Sequence, residues 1–213
     1  PQVMHERFGC KAIIANAYLI RQHAGTRNIA DIHDFLHFPG VIATDSGAYQ
    51  ILRYGEVEVS PREIIGYQEA IQTDIGVILD TPTGSKASRA HAAKTVNETI
   101  RRADEAQKVI KNRDIAWVGP VQGGLYPDLV AYSAREMSKR NFDIYALGSP
   151  TEVMEQYFFA DLVDMILAAK MNLPSSAPLH LFGAGHPFMF ALAIACGCDL
   201  FDSAAYILYA RRG

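Results

Sequence analysis

Cysteine is scarce in this chain. Three among 213 residues, Cys10, Cys196 and Cys198, are an odd number at too low a density for a disulfide scaffold, which favours a reducing compartment and the cytoplasm. No apolar run is long enough to span a bilayer, and the opening Pro-Gln-Val-Met carries no signal-peptide pattern. An excess of positive charge is missing too: 20 Lys and Arg against 23 Asp and Glu give a formal net charge of -3. The field of the whole molecule therefore does not advertise a polyanionic partner, although a local basic patch or a further domain stays compatible with nucleic acid. No G-x-G-x-x-G follows the first apolar run, so the fingerprint of a dinucleotide-binding doubly wound sheet is lacking. An initiator Met and a closing helix at Arg211-Arg212-Gly213 are lacking as well. The chain reads as a fragment.

What is present is ordinary globular material, 49% hydrophobic and 20% charged, enough for one domain with a proper core. Val41 to Gln50, V-I-A-T-D-S-G-A-Y-Q, sets the pattern: a buried strand runs into Asp45, and Ser-Gly-Ala lets the chain turn sharply. Ala12 to Leu19 is a similar apolar run with Asn16, a turn former or a site residue, inside it. His33 and His37 read as a surface helix face, and Val57 to Val59 as a short hairpin arm. Ser60-Pro61-Arg62-Glu63 is a capping box that opens a helix through about Gln72. Asp74 to Gly84 repeats the opening pattern and ends on Asp80. Ser88 to Lys111 is a long amphipathic helix. Further strands are expected at Ile115 to Gln122, Ile144 to Gly148, His180 to His186 and Leu200 to Ala204, with helices at Tyr126 to Arg140, Thr151 to Lys170 and Pro187 to Cys196. Strands alternating with helices predict an α/β fold with a parallel sheet. Polar groups at nearly every strand end favour a (β/α)8 TIM barrel, with its first strand, before Ala12, missing from the chain.

In such a barrel Asp45, Asp80, Gln122, the Gly148-Ser149 backbone and Asp202 would face one pocket. Three carboxylates and an amide without lysine suit a planar ligand rich in hydrogen bonds better than a phosphate. A purine such as guanine offers paired donors to a carboxylate and a carbonyl to an amide. Tyr49 and Phe182 sit beside strand ends and could stack on its faces, and two carboxylates remain for a nucleophile and an acid/base in glycosyl transfer. Each position also has a plainer reading: Asp45 and Asp80 as turn residues, Gln122 as a strand exit, Tyr49 and Phe182 as core aromatics, His180 and His186 as satisfied strand-edge residues. Cys196-Gly-Cys198 reads as buried structural thiols rather than half of a zinc site, so no metal ligands are assigned within the chain. A metal-dependent barrel hydrolase would use the same carboxylates.

Five stretches occur in an order that resembles the tRNA-guanine transglycosylases: D-S-G-A-Y-Q (Asp45 to Gln50), D-I-G-V-I-L-D-T-P-T (Asp74 to Thr83), V-Q-G-G (Val121 to Gly124), H-L-F-G-A-G-H-P (His180 to Pro187) and D-L-F-D-S-A-A-Y (Asp199 to Tyr206). L-F-G-A-G-H-P and F-D-S-A-A-Y are similar to the archaeal, archaeosine-forming branch. The resemblance implies a catalytic TIM barrel over residues 1–213 that replaces a guanine in the D-arm of tRNA, position 15, with 7-cyano-7-deazaguanine through a covalent glycosyl-enzyme intermediate. A queuine-type enzyme acting on an anticodon guanine, or a non-catalytic barrel subunit, would share the motifs. By match, Asp202 would be the nucleophile and Asp45 the acid/base, although an older assignment gives the nucleophile's role to the position of Asp45. Asp80 and Gln122 would bind the base edge with Ser46, Gly148 and Ser149 nearby, and Tyr49 and Phe182 would sandwich the base. Where the family often reads Gly-Gly, this chain has Gly148-Ser149. The family's structural zinc site and the tRNA-binding domains of the archaeal enzymes are expected beyond residue 213. Partners implied are tRNA, a 7-deazaguanine base and a second copy in a homodimer, with no cofactor in this chain.

Overall fold

The computed structural model describes residues 1–25, 28–48, 59–184 and 187–212, the side chains at 187 and 208 excepted. The chain divides into two compact units, Pro1–Asp80 with Arg102–Val118, and Thr81–Arg101 with Gly119–Gly213.

The first unit contains α1 (Gln2–Phe8), β1 (Ala12–Asn16), α2 (Ala17–Ala24), α3 (Ile32–Leu36), β2 (Val41–Asp45), α4 (Pro61–Ala70) and β3 (Ile75–Val77), with the end of α5 (Arg89–Val109) and the start of β4 (Ala116–Val121). β1 to β4 lie side by side in chain order and pair in parallel. The register sets Asn16 opposite Asp45. The apolar run from Ala12 is a strand only as far as Asn16, because the Asn16 side chain accepts the Leu19 N–H at 2.9 Å and caps α2. Ile32, Phe38, Ile42 and Ile71 form one fully buried cluster, and Ala17, Ala48, Ile64 and Leu79 another. Burying a large apolar side chain of this kind contributes about 1.5–3 kcal/mol. The capping box forms as predicted: Glu63 N donates to Ser60 Oγ at 3.2 Å and Ser60 N to Glu63 Oε2 at 2.8 Å. The helix it opens stops at Ala70, just before Gln72 at φ 58. The arm expected at Val57 to Val59 lies largely outside the described residues.

The second unit holds the start of α5, the end of β4, and then α6 (Pro127–Ser138), β5 (Ile144–Leu147), α7 (Thr151–Glu155), α8 (Phe159–Lys170), β6 (Leu179–Leu181), α9 (Pro187–Ala195), β7 (Leu200–Phe201) and α10 (Ala205–Arg212). β5, β6 and β7 pair in parallel and in chain order, and Gly148 N donates to Val121 O at 2.9 Å beside the end of β4. Two expectations are corrected here. The helix expected over Thr151 to Lys170 is two helices, since Tyr157 takes the left-handed conformation, φ 57, between them. A closing helix is present after all: Ser203 Oγ accepts from Ala205 N at 2.9 Å and opens Ala205–Arg212.

Parallel strands taken in chain order, with helices between them, make this an α/β protein with the connectivity of a (β/α) barrel, as the sequence predicts. No helix among the described residues is long and apolar enough to cross a membrane.

Candidate active site

In the first unit the carboxyl ends of β2 and β3 carry Asp45, Ser46 and Asp80. Asp45 is half-buried and accepts from Asn16 Nδ2 at 3.1 Å. Asn16 thus does both things the sequence left open, capping α2 with its oxygen and holding the carboxylate with its nitrogen. Ser46 is fully buried, and its Oγ has no hydrogen-bond partner among the described residues. A buried hydroxyl left unmade costs about 1–3 kcal/mol, a cost that a polar ligand would remove. The turn beyond it needs glycine: Gly47 sits at φ 91, and a Cβ there would lie 2.4 Å from Tyr18 Cβ. Asp80 is 6% exposed, and its main-chain carbonyl accepts from Arg102 Nη1 at 2.8 Å. Tyr49 lies outside the described residues.

In the second unit the structure brings Gln122, Gly148 and Ser149 together. Gln122 follows β4 and is buried, and its N–H donates to Ser133 Oγ of α6 at 3.1 Å. Its side-chain oxygen accepts from Thr83 N at 2.9 Å and from Ser149 Oγ at 3.2 Å. Gly148 lies flat against the amide: a Cβ there would come 2.1 Å from Gln122 Nε2.

A second group in the same unit centres on Asp202, just past β7. His180 of β6 donates from Nε2 to Asp202 Oδ1 at 3.0 Å, and Gly183 N donates to the same oxygen at 2.9 Å. Both bonds fall on Oδ1, so the carboxylate is gripped through one of its two oxygens. The β6–β7 register, His180 opposite Leu200 and Leu181 opposite Phe201, brings His180 within reach of Asp202, two residues past Leu200. Phe182 is half-buried and stacks edge-on against His180, ring centres 4.6 Å apart.

Cysteine chemistry is elsewhere. Cys198 is buried, which pushes its thiol up to about 12, with the Cys196 thiol and the Asp199 carboxylate adding to the shift. Thiolate ligation of zinc does not fit such a group, and among the described residues no three His, Cys, Asp or Glu are grouped to hold a metal.

The sequence that builds this geometry is matched over residues 1–213 by the family model described as queuine tRNA-ribosyltransferase. The chain belongs to the queuine tRNA-ribosyltransferase family. Proteins named tRNA-guanine(15) transglycosylase are among its relatives. That of Pyrobaculum aerophilum is 52% identical over 212 residues, 99% of this chain and 42% of that protein. Those of Sulfolobus acidocaldarius and Methanosarcina mazei are 48% and 46% identical over 206 and 209 residues, covering 95% and 97% of this chain and 41% and 42% of those proteins. The chain thus spans about two fifths of the length of these relatives.

Within this family member, sequence reasoning passed over three partners. His180 was read as a strand-edge residue, and the Thr83 and Gly183 main chains carry no side-chain signal at all. For His180 a signal existed: a histidine inside a three-residue strand, three positions before the glycine of L-F-G, is a polar group that a buried sheet must satisfy.

Proposed function

We propose that the protein containing this chain is a tRNA-guanine transglycosylase, exchanging a guanine base of tRNA for a free base. The observation that supports this best is the one-sided hold on Asp202, Oδ1 fixed by His180 and Gly183. In the first step Asp202 Oδ2 attacks C1′ of the guanosine, the C1′–N9 bond breaks, and its electron pair leaves on N9, which takes a proton from Asp45. The sugar is then esterified to Asp202. In the second step the incoming base gives its proton to Asp45 and attacks C1′, and the C1′–O bond breaks to return the carboxylate. Asn16, bonded to Asp45 Oδ2, orients the acid/base. Asp80, Gln122 and the buried Ser46 hydroxyl offer the acceptors and donors a guanine edge requires, with Phe182 and Tyr49 as stacking faces.

The relatives' names speak of guanine 15. Carried to this chain, the target is position 15 in the D-arm, the incoming base is 7-cyano-7-deazaguanine, and the product leads to archaeosine. The reading includes a cytoplasmic homodimer whose structural zinc is held by residues outside this chain.

Incubating the intact protein with tRNA and resolving it on a denaturing gel tests the chemistry. The parent yields a protein–RNA band and Asp202→Asn yields none. An Asp202→Asn band of normal intensity overturns the nucleophile's assignment. Activity lost to chelation and restored by a divalent ion would favour metal-dependent hydrolysis instead.

A further inference from the structure

We infer that Ser149 is a positioning residue: its hydroxyl, together with the Thr83 main chain, fixes the Gln122 amide with the oxygen turned inward, so that the site recognises a hydrogen-bond acceptor on the base at this point. The inference rests on the base-exchange reading and adds to it the device that selects a 6-oxo over a 6-amino purine.

An amide side chain has an oxygen and an NH2 of nearly the same shape, and which way round it lies decides whether a site accepts or donates. Thr83 N–H is a main-chain donor that cannot turn away, and it meets Gln122 Oε1 at 2.9 Å. A flipped amide would set donor against donor. With the carbonyl oxygen so fixed, the Ser149 hydroxyl at 3.2 Å has to donate its proton to the same atom, and both lone pairs of Oε1 are then used. Gly148 closes the remaining side, where a Cβ would sit 2.1 Å from Nε2. Ser149 holds this place at φ 64, in a region that costs an L-residue about 1–2 kcal/mol and suits glycine. A serine at a glycine's conformation, with its hydroxyl engaged on a 99%-buried glutamine, is doing something glycine could not. Two donors on one carbonyl also polarise the amide and strengthen Nε2 as a donor.

The test uses the intact protein and two variants. Ser149→Ala removes the donor and keeps the unfavourable φ; Ser149→Gly removes the donor and relieves it. Both are expected to raise KM for guanine about 5- to 10-fold, the value of one neutral hydrogen bond, with kcat at saturating guanine within about twofold. Both should also narrow the preference for guanine over 2,6-diaminopurine as a competing base. The melting temperature of Ser149→Gly should equal or exceed the parent's. A purely structural serine predicts otherwise: glycine would behave as the parent does. Unchanged KM and preference in both variants, or a defect confined to Ser149→Ala, overturns the inference. A parent that exchanges no guanine sinks the base-exchange reading instead, and calorimetric binding of guanine to parent and Ser149→Gly then decides the role of Ser149 on the same fold-change.

Discussion

At the scale of single residues, the two aspartates of the proposed exchange are held differently. Asp202 takes two donors on one oxygen, one from a side chain and one from the main chain, while Asp45 shares a bond with an asparagine that is also a helix cap. Removing the His180 imidazole leaves Gly183 N in place, so Asp202 loses one donor and keeps its position. His180→Ala should therefore slow formation of the protein–RNA band about 10- to 100-fold without abolishing it, the range for one hydrogen bond to a charged group. A rate within twofold of the parent would mean that Gly183 alone sets the carboxylate. Cys198 offers a pH readout. Its thiol ionises near 9 in the unfolded chain and at about 12 in the folded one, so folding favours the protonated form. That stability is fully present below pH 9 and is lost as the pH rises from there toward 12. Melting curves of parent and Cys198→Ala should converge between neutral pH and the highest pH at which both refold, and parallel curves would contradict the buried thiol.

Among the elements, the contrast is between what neighbouring residues decide and what distant ones decide. The capping box of α4 was legible because Ser60, Pro61 and Glu63 stand within four positions, and the structure forms both of its bonds. Ser60→Ala should lower stability by about 1 kcal/mol in denaturant titration. The polar seam beneath the same helix was not legible. Thr44 Oγ donates to Gln68 Oε1 at 2.8 Å, Val77 N donates to that oxygen at 3.0 Å, and Gln68 Nε2 donates to Val77 O at 3.1 Å. Its bonded pairs stand nine and 24 positions apart, so no short window of the sequence contains the pattern. The seam joins α4 to β2 and β3 where β2 and β3 share only two register pairs, Ala43 with Ile75 and Thr44 with Gly76. Gln68→Leu leaves Val77 N and Val77 O without those partners, and a loss of about 2–4 kcal/mol is expected. A loss below about 0.5 kcal/mol would show that the ladder alone holds β3.

For the whole molecule, the alternation of apolar runs with helical stretches was enough to predict an α/β chain of parallel strands, because each strand run ends on a polar or glycine signal that marks its carboxyl end. The pattern fails at two places, Tyr157, whose left-handed backbone divides the expected helix in two, and Ser203, whose hydroxyl accepts from Ala205 N at the start of the closing helix. The site was legible as a set of strand-end side chains but not as bonds, since Thr83 and Gly183 act through the main chain. Charge then bears on how tRNA would be held. With 23 acidic against 20 basic residues, and Arg21, Arg89 and Arg101 each paired with an acidic side chain, the net charge of this chain works against holding a polyanion. The bulk of the phosphate contacts is therefore expected from the remaining three fifths of proteins like its relatives. Filter binding at 150 mM salt should give residues 1–213, verified as folded by circular dichroism, a Kd for tRNA weaker than about 100 μM, at the feeble end of non-specific binding, against much tighter binding by the intact protein. A Kd of about 1 μM or below for residues 1–213, with a steep salt slope, would locate the tRNA-holding surface in these 213 residues and shift the search to Lys86 and Lys94, both exposed.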